Sequence, residues 1–166
     1  MKVAIDSGPL SSGHSIRGVG FYTRQLSEAL KREKSVQVEV VEFAKADLSN
    51  FDIVHYPAFH PYFLTLPFSS PAKTVVTIHD LTPLIYPKHF PPGLRGSLKF
   101  LIQKFLVSRV DAVITVSESS KKDIVRFLGV ASEKVHVTYE APGENYRPIK
   151  DGEALKKITR KYGLPS

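Results

Sequence analysis

Five polar residues each lie at or just past the end of a short apolar run of β type: Asp6, His55, His79, Asp80 and Ser117. Ligands of open parallel sheets bind at the carboxyl ends of the strands, so these positions predict one site along one edge of a sheet. The imidazole of His79 follows the clearest β run, and histidine is the residue type that proteins use most often for proton transfer. It is therefore the candidate for accepting a proton or holding an anion. A histidine that is hydrogen-bonded inside the core is the alternative for this residue.

A pair of glycines opens the first helical segment. Gly18, Val19 and Gly20 begin a pattern of helical periodicity, so the free backbone N–H groups of this turn are candidates for binding a phosphate. The segment is similar to a dinucleotide fingerprint, and Glu42 lies about 20 residues further on, where such sites hold an acidic residue. However, Thr23 occupies the third glycine position and a long Ser/Gly loop precedes the helix, so NAD binding is not favoured. An irregular loop that needs glycine is the structural alternative.

Composition and charge narrow the classes of function. The 166 residues contain no cysteine, which excludes disulfides and thiol nucleophiles, and the spacing of His55 and His60 does not favour a zinc site. The net charge of +7 favours an anionic partner. Aromatic and basic residues do not interleave as in a nucleic-acid platform, so we expect no nucleic-acid partner. No apolar run reaches the roughly 18 residues of a membrane span, and the strand-like start predicts a cytoplasmic protein.

Short β-type runs alternate with helical patterns along the chain. The predicted strands are Val3–Ile5, Val36–Phe43, Asp52–Tyr56, Lys73–Ile78, Asp111–Val116 and Val135–Thr138. Helices are predicted from Gly18 onwards, from Leu94 to Phe105, from the N-cap Ser117 to Gly129, and from Gly152 to Tyr162. This alternation predicts an α/β fold, a Rossmann-like three-layer sandwich with a mainly parallel sheet. Two long connections rich in proline and aromatics, 57–71 and 81–92, are candidate binding loops.

One helical segment carries a stripe of large apolar residues: Leu94, Leu98, Leu101, Ile102 and Phe105. Their helical spacing predicts that the stripe packs in the core. Four basic residues flank it: Arg95, Lys99, Lys104 and Arg109. These side chains could lie on an anionic membrane, but a solvated basic face is the expectation that we favour.

Four motifs in chain order resemble the N-terminal half of one enzyme family. They are Arg17–Thr23 (RGVGFYT), Thr77–Leu81 (TIHDL), Val113–Ser120 (VITVSESS) and the segment Val137–Pro148. Together they resemble the retaining GT-B glycosyltransferases of the GT4 group, also called glycosyl transferases group 1, over nearly the entire chain. Members of that family have a second Rossmann-like domain that faces the first across a cleft.

The resemblance implies that residues 1–150 form a Rossmann-like, acceptor-binding domain, one half of a GT-B fold. Residues 151–166 would form a helix that leads towards an absent C-terminal domain, which binds the donor. The implied reaction moves a sugar from a nucleotide-sugar co-substrate to an acceptor hydroxyl with retention, and the departing diphosphate takes the acceptor proton. No cofactor and no metal are implied. The acceptor is expected to be a sugar or a phosphorylated or lipid-linked molecule, with a peripheral membrane contact left open.

The roles of individual residues follow from the same resemblance. His79 matches the cleft histidine that orients the transferred sugar, which gives it the catalytic role. The residues that the resemblance places on the substrate are Gly18, Val19, Gly20, Asp80, Ser117 and Glu118. Glu140 departs from the asparagine-containing pattern of the family in its loop, so no role is carried onto it.

Three functions remain open at this point. The first is the acceptor-side domain of a glycosyltransferase, inactive when alone. The second is a standalone module that binds a glycan or a phosphate, or that pairs with a separate donor-binding chain. The third is a small nucleotide-binding protein with the same sheet, which binding of NAD or a nucleotide by the isolated chain would favour.

Overall fold

Six parallel strands form one sheet at the centre of the molecule. The structure, a computed structural model, describes residues 1–11, 13, 15–143, 146 and 148–165. The strands are β1 Lys2–Asp6, β2 Gln37–Val41, β3 Ile53–Tyr56, β4 Lys73–Thr77, β5 Ala112–Thr115 and β6 Val135–Val137. Their order in the sheet is β2-β1-β3-β4-β5-β6, and every neighbouring pair is parallel. The predicted Rossmann-like α/β fold is therefore confirmed.

Helices connect the strands. Their bounds are α1 Gly8–Ser11, α2 Gly18–Lys31, α3 Thr82–Ile85, α4 Gly93–Ser108, α5 Glu118–Asp123 and α6 Gly152–Tyr162. The α5 helix continues as a π-helical turn, Ile124–Leu128, which ends at Gly129 with φ of 71°. This left-handed conformation favours glycine. The short helices α1 and α3 lie in segments that the sequence predicts as loops, and a 3₁₀ turn at Ser132–Lys134 precedes β6. Within the described residues, no helix is long and apolar enough to span a membrane.

The core lies on both faces of the central strands. Val54, Val76 and Val113 of β3, β4 and β5 have no exposed surface. Ile5 of β1 is buried in a second cluster on the opposite face, while the strand register places the three valines together on one face in the larger cluster. Val107 of α4 and Ile124 after α5 are equally buried and belong to the same cluster. The sheet is therefore rigid at the strands whose carboxyl ends carry the polar residues.

The apolar stripe of α4 does not pack in the core, so that prediction is wrong. Leu94 is 93% exposed, and Leu98, Leu101 and Phe105 are 61%, 62% and 55% exposed. Only Ile102 of the predicted stripe is partly buried against the core. The face of α4 that is buried consists of Gly96, Gln103, Leu106 and Val107.

Two residues account for this rotation of α4. Gly96 lies so close to the preceding loop that an added Cβ would be 2.9 Å from the Cβ of Pro92 and 3.8 Å from the Cβ of Tyr62. Gln103 is fully buried, and its amide group is hydrogen-bonded to the 57–71 loop. A larger residue at position 96 would hold α4 away from the loop. Gly96 and Gln103 therefore determine which face of α4 packs against the core.

The last helix, α6, is capped at both ends by residues adjacent to it in the sequence. The Asp151 carboxylate accepts hydrogen bonds from the backbone N–H groups of Glu153 and Ala154 at 3.0 and 3.2 Å, and Gly163 ends the helix with φ of 60°. Nevertheless no residue of α6 is buried, and its apolar residues Leu155 and Ile158 are 45% and 43% exposed. The division into a domain at 1–150 and a leading helix at 151–166 stays a prediction.

We expect the amide hydrogens of α6 to exchange with solvent much faster than those of β4. The reason is that α6 is held by caps and by an exposed Lys156–Glu153 ion pair of 3.0 Å, while β4 is paired on both sides in the core. Hydrogen exchange followed by mass spectrometry on the 166-residue chain measures this difference. Protection of α6 equal to that of Val75 in β4 would show that the helix belongs to the same cooperative unit.

Candidate functional site

A cavity of about 740 Å³ lies at the carboxyl ends of β1, β3 and β4. The strand order reverses at this point, because the connection from β1 leads to β2 on one side and the next strand, β3, lies on the other side of β1. Such a switch point is where open α/β sheets bind their ligands. Asp6, Tyr56 and His79 line the cavity from the ends of the three strands, and the loop 57–71 forms much of the remaining wall. The volume is within the range of about 300 to 1,000 Å³ that small-molecule sites occupy.

The His79 side chain is held in one orientation by three contacts. Its Nε2 atom lies 3.2 Å from the carbonyl oxygen of Pro57, and its Nδ1 atom lies 3.5 Å from a carboxylate oxygen of Glu140. The edge of the ring meets Tyr22, with 4.7 Å between ring centroids. A carbonyl oxygen only accepts, so Nε2 carries a proton, and the ion pair with Glu140 forms when Nδ1 is protonated as well. The side chain is 19% exposed and therefore reachable from the cavity.

Behind His79 lies a small hydrogen-bonded network. The hydroxyl of Thr77 is 2.8 Å from Nε2 of His55 and 3.0 Å from the hydroxyl of Tyr22. Thr77 is fully buried and His55 is 4% exposed. Because a threonine hydroxyl donates one proton and accepts others, it can donate to a neutral His55 while accepting from Tyr22. This arrangement supports the Tyr22 ring that packs against His79.

Burial keeps the groups of this network uncharged. Desolvation, and secondly the neighbouring charge of His79, lower the pKa of His55 from 6.5 to about 4. Desolvation also raises the pKa of Tyr22. Outside the network, desolvation and secondly the Asp6 carboxylate raise the pKa of Tyr56 to about 12. The prediction that His55 belongs to the site at the strand ends is therefore wrong: it is a neutral residue buried in the core and is not among the residues that line the cavity.

The first turn of α2 lies beside the cavity. Val19 lines it, and an added Cβ at Gly18 would meet no atom within 4 Å, so a ligand has room to approach this backbone. Gly20 is buried together with Thr23, whose hydroxyl donates to the carbonyl oxygen of Val19 at 2.8 Å. The third glycine position of a dinucleotide fingerprint is thus filled by a side chain that packs inside the domain. The open N–H groups of α2 remain the part of this segment suited to a phosphate.

Of the remaining predicted site residues, Asp80 lines the cavity, Ser117 caps a helix and Glu118 does neither. Asp80 lines the cavity, and its carboxylate also accepts a 2.8 Å hydrogen bond from the backbone N–H of Thr82, which begins α3. Ser117 caps α5 by accepting from the N–H of Ser120 at 3.1 Å, as the sequence predicts. The hydroxyl of Ser120 in turn donates to the carbonyl oxygen of His79 at 3.0 Å. Glu118 is exposed in the first turn of α5 and does not line the cavity.

Glu140 is the site residue that sequence reasoning missed. It lies beyond β6 and contacts His79, the only partner of its carboxylate among the ion pairs that the structure describes. Its position just after a strand is the same signal that selects Asp6 and His79. The departure of Glu140 from the family pattern is the reason that the resemblance implies no role for it. Positions 144, 145 and 147 of the Val137–Pro148 motif lie outside the described residues.

Gln103 fixes the wall that faces the strand ends. Its Nε2 atom donates to the carbonyl oxygen of His60 at 3.2 Å and to the hydroxyl of Thr65 at 2.6 Å, and its Oε1 atom accepts from the N–H of Leu66 at 3.4 Å. His60 and Thr65 both line the cavity. A fully buried amide therefore joins α4 to the loop that shapes the site, and the apolar surroundings of this residue in the sequence give no sign of it.

The family of the chain follows from a comparison with known proteins. Residues 42–141, which include β3, β4, His79 and β5, match the family model described as Glycosyltransferase Family 4. The chain belongs to Glycosyltransferase Family 4. The resemblance to the GT4 group is thereby confirmed, although the Arg17–Thr23 motif lies outside the matched residues. Among the described residues, no group of three or more histidine, aspartate or glutamate side chains is placed to hold a metal ion.

Individual relatives share part of this chain. Serotype-specific mannosyltransferase WbdA of Escherichia coli is 29% identical over 108 residues in two sequences and 28% identical in a third. The match covers 63% of this chain but 13% of the relatives. A crystal structure of a glycosyltransferase from Rickettsia africae ESF-5 is 16% identical with a TM-score of 0.41, over 99% of this chain and 50% of that one. The chain thus spans a small part of these curated relatives.

We expect the stability that His55 contributes to depend on pH. Its pKa is lower in the folded state, so between pH 6.5 and 4 the His55 imidazole is protonated in the unfolded chain and neutral in the folded chain. This contribution is complete above pH 6.5 and is lost as the pH falls. Wild type should therefore lose roughly 2 kcal/mol more than His55→Gln between pH 7 and 5 in urea unfolding. Equal losses in both proteins would contradict a neutral, buried His55.

A second prediction concerns Gln103. Gln103→Leu keeps the size of the side chain but leaves the buried partners in the 57–71 loop without hydrogen bonds, so the free energy of unfolding should fall by about 2 kcal/mol or more. The amide hydrogen of Leu66 should also exchange faster. Gln37→Leu, at an exposed position of β2, is the matched control and should change neither quantity. An unchanged Leu66 amide in Gln103→Leu would show that the loop holds its shape without this residue.

Proposed function

We propose that this chain is the acceptor-side domain of a retaining glycosyltransferase of GT-B architecture. In this proposal a second domain binds a nucleotide sugar, and the sugar passes to an acceptor hydroxyl held by the domain described here. The observation that carries the proposal is the position of His79. In a chain of Glycosyltransferase Family 4, this histidine faces a cavity of about 740 Å³ at the switch point of the sheet, beside the open start of α2.

The lining of the cavity suits a sugar-containing acceptor. The aromatic side chains of Tyr56 and Phe59 offer apolar surface of the kind that sugar-binding sites need, and they stand next to polar groups. The carboxylates of Asp6 and Asp80 are acceptors for hydroxyl protons. This combination of an apolar wall with a few polar groups supports an acceptor that is held by its rings and oriented by its hydroxyls.

The start of α2 has the electrostatic character that diphosphate departure requires. Backbone N–H groups in the first turn and the positive end of the helix dipole stabilise negative charge, and Arg17 directly precedes this turn. In the proposed reaction the leaving diphosphate itself takes the proton of the acceptor hydroxyl, so no protein nucleophile takes part. The main task of this chain near the reacting atoms is then to hold developing negative charge and to position the acceptor.

His79 is proposed to orient the transferred sugar. The Pro57 carbonyl and the Tyr22 ring fix the imidazole, so a sugar hydroxyl that displaces the Glu140 carboxylate from Nδ1 could form a hydrogen bond there without rotation of the ring. The name of the WbdA relatives makes a nucleotide-activated mannose the first donor to test.

The test is sugar transfer by a polypeptide that contains this chain together with its donor-binding domain. His79→Ala should lower kcat/KM roughly a hundredfold, because the sugar loses an oriented hydrogen bond in the transition state, while the thermal unfolding midpoint changes little. His136→Ala replaces an exposed histidine on β6 and is the matched control, with activity expected to stay at the wild-type level.

Two further results bear on the proposal. The purified 166-residue chain should fold and give no transfer with the same nucleotide sugar, since the donor side is missing, and measurable turnover by it would contradict the role of a half-site. A His79→Ala protein that loses stability but keeps full activity would show that this histidine is structural. The orientation of the sugar would then need another residue.

A further inference from the structure

The two ring nitrogens of His79 have partners of different mobility. The Nε2 atom lies 3.2 Å from the backbone carbonyl oxygen of Pro57, which cannot turn away unless its loop moves. The Nδ1 atom lies 3.5 Å from a carboxylate oxygen of Glu140, whose side chain is 57% exposed. This distance is longer than the roughly 2.7–2.9 Å of a formed hydrogen bond between charged groups. Glu140 is therefore the partner that a ligand can move.

The backbone on both sides of Glu140 is held in place, although its side chain is exposed. Before it, the N–H of Thr138 donates to the carbonyl oxygen of Thr115 at 2.8 Å, which extends the pairing of β6 with β5. After it, Gly143 lies so close to α2 that an added Cβ would be 3.4 Å from the ring of Phe21. The carboxylate is thus held near the imidazole by a segment that contacts the domain at two points.

The contact between Glu140 and His79 lies at the margin of the cavity. His79 lines the cavity at the strand ends, whereas Glu140 does not. The Glu140 carboxylate also acts on Tyr22, whose ring packs against His79. Burial raises the pKa of Tyr22, and the negative charge of Glu140 is a smaller cause in the same direction. In the proposed function the acceptor fills the cavity, so this margin is the place at which the transferred sugar meets the domain.

We propose that Glu140 and His79 together bind one hydroxyl group of the transferred sugar. When Nδ1 is protonated, the pair presents one donor and one acceptor, and a hydroxyl group accepts from the first and donates to the second. A ketone has no proton to donate and an ammonium group has no lone pair to accept with, so the pair selects a sugar with a free hydroxyl at one position. This inference rests on the proposed function and makes Glu140 a specificity-determining residue.

The negative charge of Glu140 also suits the reaction. The ring of a transferred sugar develops positive charge as its bond to the leaving group breaks. A carboxylate that accepts a hydrogen bond from that ring stabilises this charge more than a neutral acceptor does. The contribution of Glu140 is therefore expected to be larger in the transition state than in the bound donor, and its loss should appear mainly in kcat.

The test uses the polypeptide that contains this chain together with its donor-binding domain. Its substrates are GDP-mannose and analogues of GDP-mannose that each lack one hydroxyl. The readout is release of GDP, which reports consumption of the donor whether water or an added acceptor takes the sugar. Wild type should lose roughly thirtyfold in kcat/KM with one analogue and much less with the others, because one charged hydrogen bond is missing.

Glu140→Ala should lose a similar factor with GDP-mannose and should not lose it again with that one analogue, because the hydroxyl and the carboxylate act as a pair. Glu140→Gln keeps the size of the side chain and an acceptor but no charge, so its loss should be smaller, roughly tenfold or less. The thermal unfolding midpoint of both variants should equal that of wild type, since exposed ion pairs contribute little to stability.

Glu133→Ala is the matched control, because it removes an exposed carboxylate just before β6, at the other end of the same strand. It should leave kcat/KM at the wild-type level. A Glu140→Ala protein that is as active as wild type, or that discriminates between the analogues as wild type does, would overturn the inference. If His79→Ala is impaired in the same assay, the proposed function survives that result. No release of GDP by wild type would overturn the proposed function and this inference together.

Discussion

The parallel pairing of β1 with both β2 and β3 is the constraint on which the site depends. Since every pair in the sheet is parallel, all carboxyl ends meet at one edge, and the reversal of order at β1 leaves a gap there between the flanking connections. Asp6, Tyr56 and His79 are far apart in sequence but line one cavity for this reason. Antiparallel pairing of β3 with β4 would place Tyr56 and His79 at opposite edges and remove the site.

Neutral polar groups stabilise the floor of this site better than charges would. Burying an ion costs more than burying a hydrogen-bonded hydroxyl or a neutral imidazole. The set of His55, Thr77 and Tyr22 satisfies its members internally, and no buried side-chain nitrogen or oxygen within the described residues lacks a partner. The charged members of the site, Glu140 and Asp80, lie instead where solvent reaches them. The uncharged, buried network lies on one side of His79 and the solvent-exposed Glu140 carboxylate on the other. Together they keep the ring oriented without a buried ion pair.

Local signals made much of the fold and part of the site predictable. The apolar run of β4 with His79 behind it, the Ser117 cap and the Gly129 stop are features of a few adjacent residues, and each occurs as predicted. The orientation of α4 was not predictable from periodicity, because a stripe of leucines indicates the core only when nothing else competes for the inner face. Here Gly96 and Gln103 compete through partners in the 57–71 loop. The contact between Glu140 and His79 likewise depends on tertiary structure.

The burial of Gln103, which together with Gly96 sets the rotation of α4, has two consequences. Burial of Gln103 requires that its amide find partners, and it finds them in the backbone of His60 and Leu66 and the hydroxyl of Thr65. Those hydrogen bonds hold the wall of the cavity at the strand ends. The same burial turns the opposite side of the helix, with Leu98 and Leu101, out to solvent. The shape of the site and the exposure of Leu98 and Leu101 are therefore both linked to the buried amide of Gln103.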